Sequence, residues 1–393
     1  MKVKRIFIFL LIFFLYGCWD KRELNELAIV VAMGIDKIND QYVISAQVVV
    51  PSELSIKGGP GHSSVTLYKA KGDTIYTTFR ELSKISPRIM YPGHLQMLVI
   101  GESMAEEGLN KPFDFIERNW EFRTDFYVII AKENTAEEIL NIQTPVETIP
   151  GTMMYYTLKN SDKLNPDSIG VTFQDFKNQL EDKGKQPVLT GIQLKGEEKK
   201  GSDKANLDSI TPSAQIKYDG LAIFFNDKLK GWMQEKDAKS LNIVTNRIKK
   251  AVIPTSCPND EEGKVDVEIQ KINSKMTGKV KKGEPSVDIN IQVKGNVGAV
   301  ECKLDLKKVE TIVALEKIFE KEQKTEIEQS IKKTQKQFQS DIYGFGSAIY
   351  RDDVKAWRKL KGNWDEEYFN DVQVNVKVNL ILRNVGAMSD SFK

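Results

Sequence analysis

The residues able to do chemistry are few and far apart. The chain has three cysteines, Cys18, Cys257 and Cys302, and two histidines, His62 and His94. Neither histidine stands at zinc-ligand spacing from a cysteine or from the other, so no metal site is expected. The sequence holds no Gly-x-Ser-x-Gly elbow, no Gly-x-x-x-x-Gly-Lys-Ser/Thr phosphate loop and no dinucleotide-binding glycine fingerprint. Asp352-Asp353 and Glu366-Glu367 carry groups suited to acid–base work, but adjacent carboxylates in a chain that is 28% charged read as solvated surface. No catalytic residue, metal or cofactor is therefore assigned, and the chain is expected not to be an enzyme.

Cys18 has a chemical context. Lys2, Lys4 and Arg5 precede an unbroken apolar run from Ile6 to Tyr16 that ends at Gly17-Cys18. This is the charged, apolar, small-residue order of an export signal. As a helix the run covers roughly 17 Å against about 30 Å of hydrocarbon, too little for a permanent span. Leu15-Tyr16-Gly17-Cys18 resembles a bacterial lipobox, in which cleavage after Gly17 leaves an S-diacylglyceryl Cys18 whose new amine can take a further acyl chain such as palmitate. Tyr16 is bulkier than that pattern usually has, and a plain secretory signal with a chance cysteine is the alternative. Two acyl chains anchor firmly where one binds marginally. Cys257 and Cys302 would then lie in a compartment that permits disulfides, closing a loop worth about 4 kcal/mol in the chain-entropy model. Two unpaired buried thiols are the other reading.

The 393 residues suffice for two or three domains, and Lys+Arg 57 against Asp+Glu 55 excludes a basic, polyanion-seeking protein, so no nucleic-acid partner is expected. Three of the positive charges belong to the signal, which leaves the remainder slightly acidic. With 40% hydrophobic residues the bulk is neither disordered nor a multi-span membrane protein.

The elements that must position these residues read as α+β. Leu27–Met33 and Tyr42–Val50 form a hairpin around Asp36 to Asp40, and Lys57 to Gly61 is a loop. Val65–Ala70, His94–Ile100 and Phe126–Ala131 alternate as strands with helices at Asp73–Ile85, at Met104–Asn119 interrupted near Pro112, and at Thr135–Ile142, where Thr135 and Glu138 form a capping box. Helical pieces at Thr148–Asn160 and Thr172–Asp182 lead to a strand at Pro187–Leu194. Residues 18–195 thus form a mixed α/β region. Residues 196–213 nearly lack large apolar side chains and read as a polar linker to a C-terminal domain, 214–393. There Tyr218–Phe225 and Lys228–Met233 form a hairpin, Asp237–Lys250 a helix capped by Asp237, and Val265–Ile269, Val287–Val293 and Val372–Leu382 are period-two strands. A long amphipathic helix over Leu306–Asp341, with a break near Lys321–Lys324, covers their dry face. In Tyr343-Gly344-Phe345-Gly346, Gly344 is read as ending that helix in preference to a flexible binding loop, and Trp357 and Trp364 as packing residues.

Two segments together carry a family resemblance. Gly17-Cys18-Trp19-Asp20, Arg22-Glu23-Leu24-Asn25 and Gly34-Ile35-Asp36 look like the opening of the Ger(x)C family of spore-germination lipoproteins. Near the other end, the run from Gln335 through Asp341-Ile342-Tyr343-Gly344-Phe345-Gly346, then Trp357, Trp364 and the strand ending Ile381 to Gly386, resembles the family's C-terminal signature. The resemblance implies the lipid-anchored, non-enzymatic C subunit of a nutrient germinant receptor. Its implied partners are the membrane A and B subunits and, through Cys18, the lipid bilayer at the outer face of the cell membrane or inner spore membrane. It also implies a three-domain α/β architecture, in which the 18–195 region is composed of two subdomains. Contact with the nutrient is left open. A substrate-binding lipoprotein of a transporter is the rival reading; it requires a two-lobed fold with a deep cleft. An anchored cell-wall enzyme lacks the necessary nucleophile, metal set or spaced carboxylates.

Overall fold

The computed structural model describes residues 23–54, 63–248, 250–258 and 260–384. Cys18, His62 and the expected loop at 57–61 lie outside the described residues.

The N-terminal hairpin forms from strands β1 (Leu27–Ile38) and β2 (Gln41–Val49), with Asn39 and Asp40 both at positive φ in the two-residue turn that suits right-handed strand twist. They enter a nine-stranded sheet with β3 (Val65–Gly72), β4 (Ile89–Tyr91), β5 (Met97–Gly101), β6 (Tyr127–Ala131), β7 (Val188–Gly196), β8 (Ala214–Phe225) and β9 (Lys228–Met233). The order is β3-β2-β1-β5-β6-β7-β8-β9, with β4 beside β1. β1, β5, β6 and β7 run parallel, and an antiparallel pair extends each side. Parallel strands are buried on both faces, hence the near-continuous apolar run Met97–Ile100. Met97 and Val99 face Ile139, Met154 and Leu158 from helices Ala136–Leu140 and Pro150–Leu164. Leu98 and Ile100 face the opposite core, which includes Phe79, Met104, Phe113 and Phe176.

Capping sets the helix boundaries. Thr135 accepts the Glu138 N–H while Glu138 reaches back, and Thr172 does the same with Asp175. The expected break at Pro112 falls elsewhere: helices Glu102–Glu107 and Asn110–Arg118 part at Gly108, whose φ of 133° no side-chain-bearing residue adopts easily, and Pro112 sits in the first turn of the second, where its missing N–H costs nothing. Helix Glu235–Val244 starts after Gln234, placing Asp237 inside its first turn and not at the cap.

The 196–213 segment does not separate two sheets. Its flanking strands, β7 and β8, are antiparallel neighbours, with Gly196 opposite Ala214. Polar contacts hold the insertion in place of an apolar core: buried Asn206 donates to the carbonyls of Gln143 and Ala214 and accepts the Ala214 N–H, and the Gly201 carbonyl accepts the Gln143 N–H. The change of sheet comes after β9. A four-stranded sheet of order β10-β11-β12-β13 follows, made of Ala251–Cys257, Asp260–Lys281, Glu284–Val300 and Gln373–Asn384. Its inward residues Ile289, Ile291, Val293, Val376 and Val378 meet Phe319, Ile327 and Ile331 of helix Val309–Gln337, and this core is continuous with one face of the large sheet.

That helix runs unbroken through 321–324. Phe319 and Ile327, eight residues apart, stay on one stripe, and the gap between them is filled by buried Gln323. Its glutamates also shield the sheet's edges. Glu320 and Glu316 accept the N–H groups of Leu380 and Leu382 on β13, and Glu322 accepts the Thr255 hydroxyl and the Ser256 N–H on β10. No helix among the described residues is long and apolar enough to cross a membrane.

Candidate functional site: an aspartate-centred junction between the sheets

The Asp341 to Gly346 segment starts a helix where it was expected to end one. The long helix stops at Gln337, and Gly344, at φ 80°, is the N-cap of helix Phe345–Asp352. The left-handed conformation explains the glycine. It turns three successive N–H groups onto the Asp341 carboxylate: Gly344 at 2.8 Å and Phe345 at 3.1 Å on Oδ1, Gly346 at 2.8 Å on Oδ2. The Trp364 indole donates to Oδ2 at 2.8 Å. Trp364 packs edge-on against Trp357, and Tyr343 stacks on Phe345.

Asp341 also ties the two sheets together. Its carbonyl accepts the Gln186 N–H and its own N–H goes to Asp365 Oδ1, both at 2.8 Å. Gln186 donates to Asp365 Oδ2 and accepts the Asn226 N–H from the β8–β9 turn. Beside it, Ser347 N donates to the Gly184 carbonyl, and Ser347 Oγ to Asp182. Burial drives the Asp341 carboxyl up to about 7, aided by nearby Asp365 and opposed by the N–H groups of Gly346, Trp364 and Phe345. Burial likewise brings Lys185 down to about 8.

The other family motif has the same design. A Cβ on Gly34 would lie 3.0 Å from Ala136 Cβ and from Leu140 Cδ1, so glycine lets helix Ala136–Leu140 rest on β1. Asp36 then accepts the Ala136 and Glu137 N–H groups at 2.8 and 3.1 Å. Burial raises its carboxyl to about 6. Such a group contributes stability that is full below its unfolded pKa, near 4, and is lost as pH rises through about 6. Urea titrations of wild type and Asp36→Asn should therefore show the wild type losing ground to the variant between pH 4 and about 7; a difference that is flat with pH would refute the assignment.

Of the residues singled out by chemistry, Cys257 and Cys302 are joined in a disulfide with Cα atoms 6.6 Å apart, amid Val265, Leu304 and Leu315. His94 is exposed and edge-on to Tyr91. Glu366 and Glu367 are exposed, whereas Asp352 and Asp353 do structural work: Asp352 accepts the Gly278 N–H, and Asp353 caps helix Val354–Leu360. None of these converges on Asp341. No group of three or more potential metal ligands occurs among the described residues. Asp36 and Asp341 stand in the two motifs that carry the resemblance, but their part as acceptors at helix starts, like the contacts of Asp182 and Asp365, is not legible in the sequence, where buried and exposed carboxylates look alike; the nearest signal is Asp341 ahead of paired glycines.

Fold and junction together define a two-sheet α+β protein whose recognisable motifs are buried aspartate caps. Residues 20–194 match the model of the spore germination protein N-terminal domain, and 219–386 that of the spore germination B3/GerAC-like C-terminal domain. The chain belongs to this family, the Ger(x)C family of spore germination proteins. It is similar to spore germination protein KC of Bacillus subtilis (strain 168), 31% identical over 99% of this chain and 97% of that protein. Spore germination protein B3 of the same organism is 24% identical over 97% of each chain. The crystal structure of the GerBC protein, 20% identical, superposes with a TM-score of 0.55 over 90% of this chain and 97% of that one, which supports the shared fold. β8 begins before the second matched region, and β8 and β9 complete the sheet built by the first.

Proposed function

We propose that this protein is the lipid-anchored, non-enzymatic C subunit of a spore nutrient germinant receptor, held at the membrane through Cys18 and acting with membrane A and B subunits to trigger germination. The observation that carries the reading is the similarity to spore germination proteins along nearly the whole chain. It is supported by the structural part that the motif aspartates play: Asp36 and Asp341 hold helix starts, a task of shape and not of turnover. A role exerted through surface complementarity needs no reactive centre.

Deleting the gene should abolish germination with one set of nutrients while a receptor-independent trigger still works; normal nutrient responses under all conditions would refute the reading. Cys18→Ala should move the protein from the membrane to the soluble fraction. Unchanged fractionation would refute the anchor.

A further inference from the structure

One end of the large sheet gathers apolar side chains that nothing covers among the described residues. β1, β3 and β4 begin there and β2 ends there, as the pairs Leu27–Ile89 and Val49–Val65 show. Leu24, Ile85 and Ile89 are 71%, 53% and 48% exposed at this end. A groove of ≈ 670 Å³ at this end is lined by Leu24, Ala28, Val48, Pro51, Pro87 and Arg88, the last two belonging to the segment that Ile85 and Ile89 flank. Exposed apolar residues scattered singly need no explanation, but a group gathered around one groove marks a contact surface.

The position of the chain's start identifies the contact. Leu24 is six residues after Cys18, so even a fully extended connection places this end within about 20 Å of the anchored atom. An acyl chain at Cys18 thus holds the groove at high effective concentration next to the headgroups, where a patch too small to bind a bilayer from solution can still dock. The charges here are mixed, with Lys84 and Arg88 against Glu23 and Glu26, and Lys84 is paired with Glu81. Attraction to anionic lipid is therefore not what the surface offers.

We propose that this end of the large sheet, with Leu24, Ile85 and Ile89 at its rim, is a bilayer-contact face that fixes the orientation of the anchored protein. The proposal rests on membrane anchoring at Cys18, and its test is built to be independent of acylation. The mature chain, carrying a histidine tag in place of Cys18, is tethered to phosphatidylcholine vesicles through a nickel-chelating lipid. A fluorophore is placed at Arg88→Cys or, on the hairpin tip of the other sheet, at Glu284→Cys, and the acyl chains carry bromine as a quencher. Emission should be lost at position 88 and retained at position 284, with no dependence on added phosphatidylserine. Leu24→Ser with Ile85→Ser and Ile89→Ser should restore emission at 88 while the tethered protein still sediments with the vesicles; these side chains are exposed, so folding is checked simply by an unchanged denaturation midpoint. Equal emission at both positions, or quenching at 88 that survives the triple substitution, would overturn the proposal. In the first case a protein partner is the better occupant of the groove. Release of wild-type protein from native membranes would instead count against acylation, which the fractionation of Cys18→Ala decides separately.

Discussion

Asp341→Asn is expected to lower the stability of the whole protein by about 4 kcal/mol, since each buried donor left without an acceptor costs about 1–3 kcal/mol. The wild-type carboxylate accepts three backbone N–H groups and the Trp364 indole, and it has no room for a compensating water because the aspartate is fully buried. Asparagine keeps the shape but replaces one acceptor oxygen with an NH₂ group. Whichever way the amide turns, at least one pair of N–H donors then faces another donor. The loss should reach beyond the local turn, because the same residue's backbone joins Gln186 and Asp365. Urea denaturation followed by tryptophan emission, with Trp364 as a reporter bonded to the substituted group, measures it. An unchanged midpoint would show that the carboxylate is not what holds the junction. Asp365→Asn should cost less, since among the described residues Asp365 accepts two hydrogen bonds, from Asp341 N and Gln186 Nε2.

What could be read from the sequence followed from periodicity and from capping. The alternation Val287, Ile289, Ile291 and Val293 fixes which face of β12 is dry, and Thr135 with Glu138 marks a helix start without reference to anything distant. The errors arose where a long-range polar contact overrides local composition. The 196–213 stretch looks like a linker because it lacks large apolar groups, yet buried Asn206 fastens it across the end of β7 and β8. Gly344 looks like the stop of a long helix, and it is the start of the next because Asp341 collects the N–H groups that follow. A buried carboxylate and an exposed one are the same letter, and only the fold tells them apart. The α+β class and the long helix packed on a sheet were legible; the participation of β8 and β9 in the N-terminal sheet was not, because a hairpin carries no record of the strand beside it.

Gly184→Ala should strike the same junction from the other side, at a cost of about 3 kcal/mol, the upper end of what overpacking ordinarily produces. A Cβ on Gly184 would lie 2.4 Å from Ser347 N and 2.6 Å from the Gly346 carbonyl carbon. These are backbone atoms at the start of a helix, so no side chain can swing aside; the loop and the helix must separate. Separation stretches the Ser347 N–H bond to the Gly184 carbonyl, which is 3.0 Å, and draws Ser347 Oγ from Asp182. Gly362→Ala is the matched control, since a Cβ there meets nothing within 4 Å and the backbone is not left-handed, and it should leave the midpoint unchanged. The two substitutions also separate stability from signalling. If the junction transmits between the sheets, Gly184→Ala spores should contain membrane-bound protein and yet respond weakly to nutrient, whereas Gly362→Ala spores respond normally. A Gly184→Ala protein with wild-type stability would mean that the loop and the helix start are free to part at no cost, and the close backbone approach would then have no structural consequence.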